Sequence, residues 1–279
     1  MSNTAAQSAR EPVPARPAAT VVILRDGPAG LEVFMVVRHH EIDFASGALV
    51  FPGGKVDAVD HAEAWADLAP HTGTSAERAF VVAAARETFE EAGLVLARRR
   101  GSVALLSAEE AHGLVEQYRT PLLAGDTTFL DLVRAESLML ATDVMVPFAH
   151  WITPKSQPKR FDTHFLLVAA PVSQLGAHDG AESVEGLWIA PGQAVRDADA
   201  GTRTLVFPTF MNLTKLSRYA TVADAVTATR ATPVVTVMPR AERLEGGGRK
   251  LHIPAEAGYG VTEMVVGAHI RPASQPKTE

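Results

Sequence analysis

Short runs of apolar residues, some alternating with polar ones and some continuous, predict the strands of this chain. The runs at 20–26 and 31–38 are separated by Gly27-Pro28-Ala29-Gly30, so they predict a β-hairpin. The run at 161–171 alternates and then becomes continuously apolar, as a buried strand does. Further strands are predicted at 143–153, at 183–191 and at 48–54, the last ending in a Pro-Gly-Gly turn.

A helical period appears between these strands. The strongest helix prediction covers 75–91, with Ser75 as its N-cap and Gly93 as its C-terminal stop. Further helices are predicted at 58–69, 107–118, 127–137 and 191–199, with two more inside 209–229. Because strands and helices are mixed, the pattern predicts an α/β or α+β sandwich.

The composition divides the 279 residues into three parts. Residues 1–17 are rich in Ala, Ser and Pro and predict a disordered arm. Residues 18–232 carry the strands and helices of the main domain. Residues 233–279 predict a C-terminal extension of short strands and a polar tail.

Charge and composition exclude several kinds of protein. The net charge of -6 argues against a nucleic-acid partner, which requires a basic surface. With no cysteine, the chain has no disulfide, thiolate nucleophile or Cys-ligated zinc. Its apolar runs fall short of the roughly 18 residues of a membrane span, and its N-terminus lacks a signal-peptide pattern. We therefore expect a cytoplasmic protein with no membrane partner, and a homodimer is left open.

The stretch RETFEEAGL, residues 86–94, places Glu87, Glu90 and Glu91 near one face in the last turn of the predicted helix. These like charges repel one another and lie at the negative end of the helix dipole. Arg86 offsets one of them by pairing with Glu90. A Mg²⁺ or Mn²⁺ ion, which prefers carboxylate ligands, would explain the others, whereas the alternative is a solvated acidic helix end.

A second motif, Phe51-Pro52-Gly53-Gly54-Lys55, lies upstream of these glutamates. Glycines allow the backbone to approach a ligand closely, so the motif adds a candidate binding loop to the candidate metal ligands.

Together these motifs resemble the box of the Nudix hydrolases, which runs Gly, five residues, Glu, seven residues, then Arg-Glu-apolar-x-Glu-Glu-x-Gly-apolar. The matching residues are Gly54, Arg86, Glu87, Glu90, Glu91, Gly93 and Leu94. The resemblance implies an α/β/α sandwich with a mixed sheet, an insertion after the Gly-Gly loop and extra C-terminal helices. It also implies metal-dependent hydrolysis of a nucleoside diphosphate linked to another group, with Glu87 and Glu91 as main metal ligands and Glu90 as a third.

The chain departs from the box in length. Residues 55–85, 31 positions, separate Gly54 from Arg86, so we assign an insertion to about 55–74. Eight residues before Arg86, where the box has its first Glu, this chain has Arg78.

Other stretches resemble the branch of the family that contains the mammalian peroxisomal coenzyme A diphosphatase. They are FPGGKVD at 51–57, WITP at 151–154 and RFDTHF at 160–165. This resemblance implies cleavage of coenzyme A or acyl-coenzyme A to 3′,5′-ADP and a phosphopantetheine. A related coenzyme A signature is matched at Arg38 and Gly47, but Asp43 stands where that signature has Arg. Diphosphatase activity on ADP-ribose, nucleotide sugars or dinucleoside polyphosphates, and a non-catalytic binding module, are the alternatives.

The resemblance also assigns roles around the glutamates. Arg86 is expected to orient a glutamate, and water to attack the diphosphate directly. Arg38, Gly53, Gly54 and Lys55 are the candidate substrate-binding residues. The general base is left open among Asp162, Glu182 and Glu185.

Overall fold

A computed structural model describes residues 12–37, 48–171, 174, 186–245, 248–266 and 270–271. The strands are β1 (Arg16–Gly27), β2 (Gly30–Val37), β3 (Leu49–Val50), β4 (Gly53–Lys55), β5 (Ala97–Arg99), β6 (Leu138–Leu140), β7 (Val146–Ile152), β8 (Phe161–Ala169), β9 (Gly186–Ile189), β10 (Leu205–Val206), β11 (Thr236–Val237), β12 (Arg240–Arg243), β13 (Arg249–His252), β14 (Glu263–Val266) and β15 (Ile270–Arg271). The helices are α1 (Trp65–Leu68), α2 (Ser75–Ala92), α3 (Ala108–Ala124), α4 (Phe129–Ala135), α5 (Pro191–Asp199), α6 (Phe207–Leu216) and α7 (Val222–Ala231).

The central sheet is mixed. Its strand order is β11-β7-β8-β1-β2-β3, with β4 beside β1 and β9 beside β2. The β1–β8 and β7–β11 pairs are parallel, whereas β1 and β2 form the predicted antiparallel hairpin. Strand β1 lies inside the sheet because its run Val21–Leu24 is apolar throughout and fully buried.

Helices cover both faces of this sheet, as the resemblance implied. Ala19, Val21 and Ile23 of β1 pack in the core that α1–α4 share. Val22 and Leu24 point the other way, into the core formed with α5–α7, because successive strand side chains alternate between faces. The predicted α/β/α sandwich is therefore confirmed.

Helix α2 carries the RETFEEAGL stretch and lies close to β1. Its N-cap lies one residue before the predicted one, since the Oγ1 of Thr74, and not the Oγ of Ser75, accepts a hydrogen bond from the Glu77 amide. It ends as predicted at Gly93, whose φ of 63° is the left-handed conformation that glycine tolerates best. Small buried residues at Ala83–Ala85 let the helix approach the sheet.

The Pro-Gly-Gly segment differs from its prediction. Gly53 and Gly54 are not a turn but part of strand β4, which pairs with Ala18, Ala19 and Thr20 of β1. At Gly53 the φ is 155°, and a Cβ would lie 2.5 Å from the Ala19 carbonyl oxygen. The predicted helix at 58–69 is also interrupted, into a 3-10 helix at Ala58–His61 and the short α1.

The region after α7 contains the short strands that the sequence predicted. Strands β12, β13 and β14 form an antiparallel sheet of their own. Tyr259, which follows β13, connects this part of the chain to the central sheet and to α6, because its hydroxyl accepts from Trp151 Nε1 at 2.9 Å and donates to Asn212 Oδ1 at 2.7 Å. No helix in the described part of the chain is both long and apolar enough to cross a lipid bilayer.

Candidate active site

The C-terminal half of α2 places its glutamates against strand β4. The amide of Gly53 donates to Glu91 Oε2 at 2.9 Å. A Cβ on Gly54 would lie 2.3 Å from Glu87 Oε1, so only glycine leaves room for this carboxylate. The two glycines therefore allow a close approach, and the groups that approach them are glutamates of the same chain.

Arg86 connects the carboxylates to one another. Its guanidinium donates to Glu87 Oε1 at 2.8 Å, to both Glu90 oxygens at 3.3 Å and to the Lys55 carbonyl at 2.8 Å. Burial alone would lower the pKa of Arg86, but its hydrogen bonds and charge contacts with Asp60, and the charge of Glu87, raise it. Arg86 therefore stays charged and holds two glutamates in fixed positions.

Asp60 is the site residue that the sequence prediction missed. It lies on the 3-10 helix at Ala58–His61, is 1% exposed, and accepts from Arg86 Nε at 3.2 Å and Nη2 at 2.9 Å. Counted forward from Gly54, Asp60 is the sixth residue, which is the position of the first Glu of the box. An Asp therefore occupies the box position that the count back from Arg86 had put at Arg78, and on the forward count the extra residues start after Asp60 and not at residue 55. Counting from Gly54 as well as from Arg86 would have found Asp60.

The cluster carries more negative than positive charge. Asp60, Glu87 and Glu90 form ion pairs with Arg86, and the charge of Glu91 lies close to Glu87. Arg119 adds a second guanidinium, which donates to the Glu90 carbonyl at 2.7 Å and interacts with the charges of Glu90 and Glu91. Burial raises the pKa of Glu87 to about 8 against the opposing charge of Arg86, and burial also raises the pKa of Glu90. Added positive charge would favour the deprotonated form of these side chains, and an oxygen-only donor set fits Mg²⁺ or Mn²⁺.

A cavity of about 810 Å³ opens beside the cluster. This volume lies in the range of pockets for small organic ligands. Its walls are largely apolar and include Thr20, Val50, Phe51, Phe165 and Phe207 from the main domain and Pro239, Ala241 and Leu251 from the C-terminal region.

Basic side chains line the same cavity. Lys55 is paired in register with Ala18 of β1, and Arg16 lies two residues further along β1 on the same face, about 6–7 Å away along the strand. Lys159 lies next to this edge, with its Nζ 6.0 Å from the centre of the Phe161 ring, and Phe161 pairs with Arg16. Arg119 and Arg249 also line the cavity.

The other predicted residues have different locations. Gly53, Gly54 and Lys55 line the cavity, whereas Arg38 lies outside the described residues. Asp162 is on the opposite side of β8 from the cavity-lining Thr163 and hydrogen-bonds with His150 Nε2, so its position does not favour a role as the general base. The other two candidate bases, Glu182 and Glu185, lie outside the described residues.

Comparisons with known proteins point to one family. The family model described as the NUDT19 Nudix domain matches residues 71–216, just over half of the chain. The acyl-coenzyme A diphosphatase NUDT19 of Gallus gallus is 26% identical, over 88% of this chain and 74% of the relative. The Homo sapiens protein of that name is 28% identical, over 75% of this chain and 67% of the relative.

A solved structure has a similar fold. It is a NUDIX hydrolase from Alicyclobacillus acidocaldarius, 25% identical to this chain with a TM-score of 0.59. The match covers 79% of this chain and 99% of that one.

Proposed function

The chain belongs to the Nudix hydrolases, in the branch of the acyl-coenzyme A diphosphatase NUDT19, and we propose that it cleaves the diphosphate of coenzyme A or acyl-coenzyme A. The products are 3′,5′-ADP and phosphopantetheine or its acyl derivative. The observation that carries this proposal is the glutamate cluster on α2, which adjoins a cavity with both basic and apolar walls.

Glu87 and Glu91 are the proposed main ligands of a Mg²⁺ or Mn²⁺ ion, with Glu90 as a third. Such an ion neutralises diphosphate charge and activates water. The chain itself fixes the ligands, because the Gly53 amide orients Glu91 and the Arg86 guanidinium orients Glu87 and Glu90. This preorganisation supports the assignment, since the carboxylates do not have to be assembled when substrate arrives.

Water is the proposed nucleophile. Its oxygen forms a bond to one phosphorus, the bridging P–O bond breaks, and the released proton goes to solvent. The bridging oxygen leaves with the other phosphorus, so each product ends in a phosphate monoester, and the two products together carry more negative charge than the substrate.

The basic edge formed by Arg16, Lys55 and Lys159 is the proposed site for substrate phosphates. Coenzyme A carries a 3′-phosphate in addition to its diphosphate, so it presents more negative charge than ADP-ribose or a nucleotide sugar. Several cations on one side of the cavity match that charge. The apolar walls at Phe51, Phe165 and Phe207 offer contacts for the uncharged parts of the substrate.

A substrate screen tests the proposal. Coenzyme A, acyl-coenzyme A, ADP-ribose, nucleotide sugars and dinucleoside polyphosphates are each incubated with Mg²⁺ or Mn²⁺ at slightly alkaline pH, with a chelator control, and the products are separated by chromatography. Metal-dependent release of 3′,5′-ADP from coenzyme A is the expected result. Cleavage of another compound alone would replace the substrate and keep the reaction, and binding without any turnover would favour a non-catalytic module.

A further inference from the structure

A second group of potential metal ligands lies on the face of the sheet opposite the cavity. His150 on β7 pairs in register with His164 on β8, and Asp162 is on the same face of β8 as His164. The side chains of these three residues each offer one ligand atom, and the atoms lie within 4.8 Å of one another. Asp162 Oδ1 is 2.5 Å from His150 Nε2 and 3.9 Å from His164 Nε2.

Neighbouring side chains hold the two imidazoles in place. His150 Nδ1 lies 2.8 Å from Thr236 Oγ1 on β11, so its other ring nitrogen faces Asp162. The His150 and His164 rings are stacked with centroids 4.1 Å apart, and the His164 centroid lies 3.9 Å from that of Phe80 on α2. A hydrogen bond on the far nitrogen is the usual support of a metal-binding histidine.

We propose that His150, Asp162 and His164 form a binding site for a transition-metal cation such as Zn²⁺, separate from the glutamate cluster. Two imidazole nitrogens and one carboxylate oxygen are a donor set that suits Zn²⁺ and not Mg²⁺. Ligand atoms of a tetrahedral zinc site lie about 3.4 Å apart, given metal–ligand distances of roughly 2.1 Å. The observed distances between the ligand atoms differ from 3.4 Å by about one ångström. Rotation of the side chains can bring the atoms to the required spacing.

The exposure of the cluster allows an ion to enter. The His150 side chain is 17% exposed, and those of Asp162 and His164 are 34% exposed. Water can fill the fourth position from the open side. A bound ion would connect β7 to β8 and, through Thr236, fix β11. Because it binds only the folded chain, it would stabilise the fold directly behind the cavity-lining Thr163.

The test measures Zn²⁺ binding to the full chain in excess Mg²⁺, which competes with Zn²⁺ for the glutamate cluster. Competition with a chromophoric chelator gives affinity and stoichiometry, and Co²⁺ substitution reports imidazole coordination through visible d–d absorption. We expect one Zn²⁺ per chain. His164→Ala should weaken binding by roughly 10–100-fold or more, and Asp162→Asn, which keeps the side-chain shape, should also weaken it.

Two control variants make the result specific. His112→Ala removes a half-exposed histidine of α3 and should leave zinc binding unchanged. Glu87→Gln should also leave it unchanged, while it abolishes the proposed hydrolysis. The proposal is overturned by the absence of zinc binding, by unchanged binding in both His164→Ala and Asp162→Asn, or by loss of binding in Glu87→Gln. In the first two outcomes the cluster is only a His–Asp hydrogen bond beside a ring stack.

Discussion

Arg86 and Asp60, 26 residues apart in the chain, face each other through two hydrogen bonds, Nε to Oδ1 at 3.2 Å and Nη2 to Oδ2 at 2.9 Å. Both side chains are buried. This two-point contact fixes the plane of the guanidinium, whose remaining N–H groups hold Glu87 and Glu90. The positions of the glutamates therefore depend on an aspartate from a different segment of the chain.

Asp60→Asn should lower the free energy of unfolding by about 3 kcal/mol, because the buried guanidinium loses a charged partner. Asp143→Asn is the matched control. Asp143 also faces an arginine, Arg98, through two hydrogen bonds, but its side chain is 64% exposed, so the expected loss is under about 1 kcal/mol. Urea unfolding measures both, and equal losses would contradict the structural role of Asp60.

Glu91→Gln should reduce kcat by about 10²–10³-fold and leave the far-ultraviolet circular dichroism unchanged. The amide oxygen can still accept from the Gly53 amide, but the negative charge that favours a divalent cation is lost. Steady-state kinetics with Mn²⁺ and coenzyme A measures the effect. Glu109→Gln, on the exposed face of α3, should retain full activity. A fully active Glu91→Gln enzyme would remove this residue from the site.

Gly54→Ala should weaken Mn²⁺ binding at least tenfold, because a Cβ lies 2.3 Å from Glu87 Oε1 and displaces that carboxylate. Gly113→Ala is the control, since a Cβ there meets nothing within 4 Å. Gly113 lies inside α3, so its replacement should stabilise the protein by roughly 0.5–1 kcal/mol. Titration followed by electron paramagnetic resonance measures free Mn²⁺, and wild-type affinity in Gly54→Ala would contradict the packing argument.

The contribution of Glu87 to the stability of the metal-free protein should fall as the pH rises from about 5 to 8. Burial raises the pKa of Glu87 from 4.5 to about 8, so in this window the folded chain keeps a proton that the unfolded chain has released. The stabilisation is complete below pH 4.5 and is lost by up to about 1.4 kcal/mol per pH unit until the folded pKa is passed. Burial lowers the pKa of His164 to about 4, which acts in the opposite direction below about pH 6.5, so the net fall is expected between about pH 6.5 and 8.

Urea unfolding in the presence of a chelator, repeated across this pH range, measures the slope. Glu87→Gln has no carboxyl to titrate at this position. Its free energy of unfolding should therefore fall less steeply with pH, by up to about 1.4 kcal/mol per pH unit. Saturating Mn²⁺ should reverse the trend, since the ion binds deprotonated carboxylates and its affinity rises with pH. Identical slopes in the wild type and Glu87→Gln would show that the folded-state pKa of Glu87 is not raised.

Arg16→Ala should raise the KM for coenzyme A several-fold with little change in kcat. If Arg16 contacts the 3′-phosphate, the effect should be smaller for dephospho-coenzyme A, which lacks that group. Arg100→Ala removes an exposed arginine outside the cavity lining and should leave both KM values unchanged. An equal increase for the two substrates would place the Arg16 contact at the diphosphate instead.

Local patterns were sufficient to predict the β1–β2 hairpin and the end of α2 at Gly93, since both depend on residues adjacent in sequence. The Pro-Gly-Gly segment was predicted wrongly as a turn because its strand conformation depends on β1, more than 30 residues earlier in the chain. The intrinsic strand propensities of Gly53 and Gly54 do not indicate that β1 is their partner.

The candidate site shows the same difference between local contacts, which the sequence predicts, and long-range contacts, which it does not. The grouping of Glu87, Glu90 and Glu91 follows from helix geometry, so the sequence was enough to predict it. Asp60 was missed because the box was counted only backward from Arg86, across an interval of 25 residues that has no fixed length. A count forward from Gly54 finds Asp60, but its contact with Arg86 is visible only in the structure. The sequence also did not indicate which side of the sheet Asp162 faces, because the answer depends on its contact with His150 on the neighbouring strand.

The cavity wall formed by Pro239, Ala241 and Leu251 has a consequence for how such chains diversify. The groups proposed for catalysis lie on α2 and β4, whereas this wall comes from a small sheet attached through Tyr259. Mutations that reshape the wall leave the glutamates and their arginine untouched. Selection can therefore change which substrate enters the cavity while the hydrolysed bond stays the same. Two relatives with identical Nudix boxes can then serve different metabolic roles.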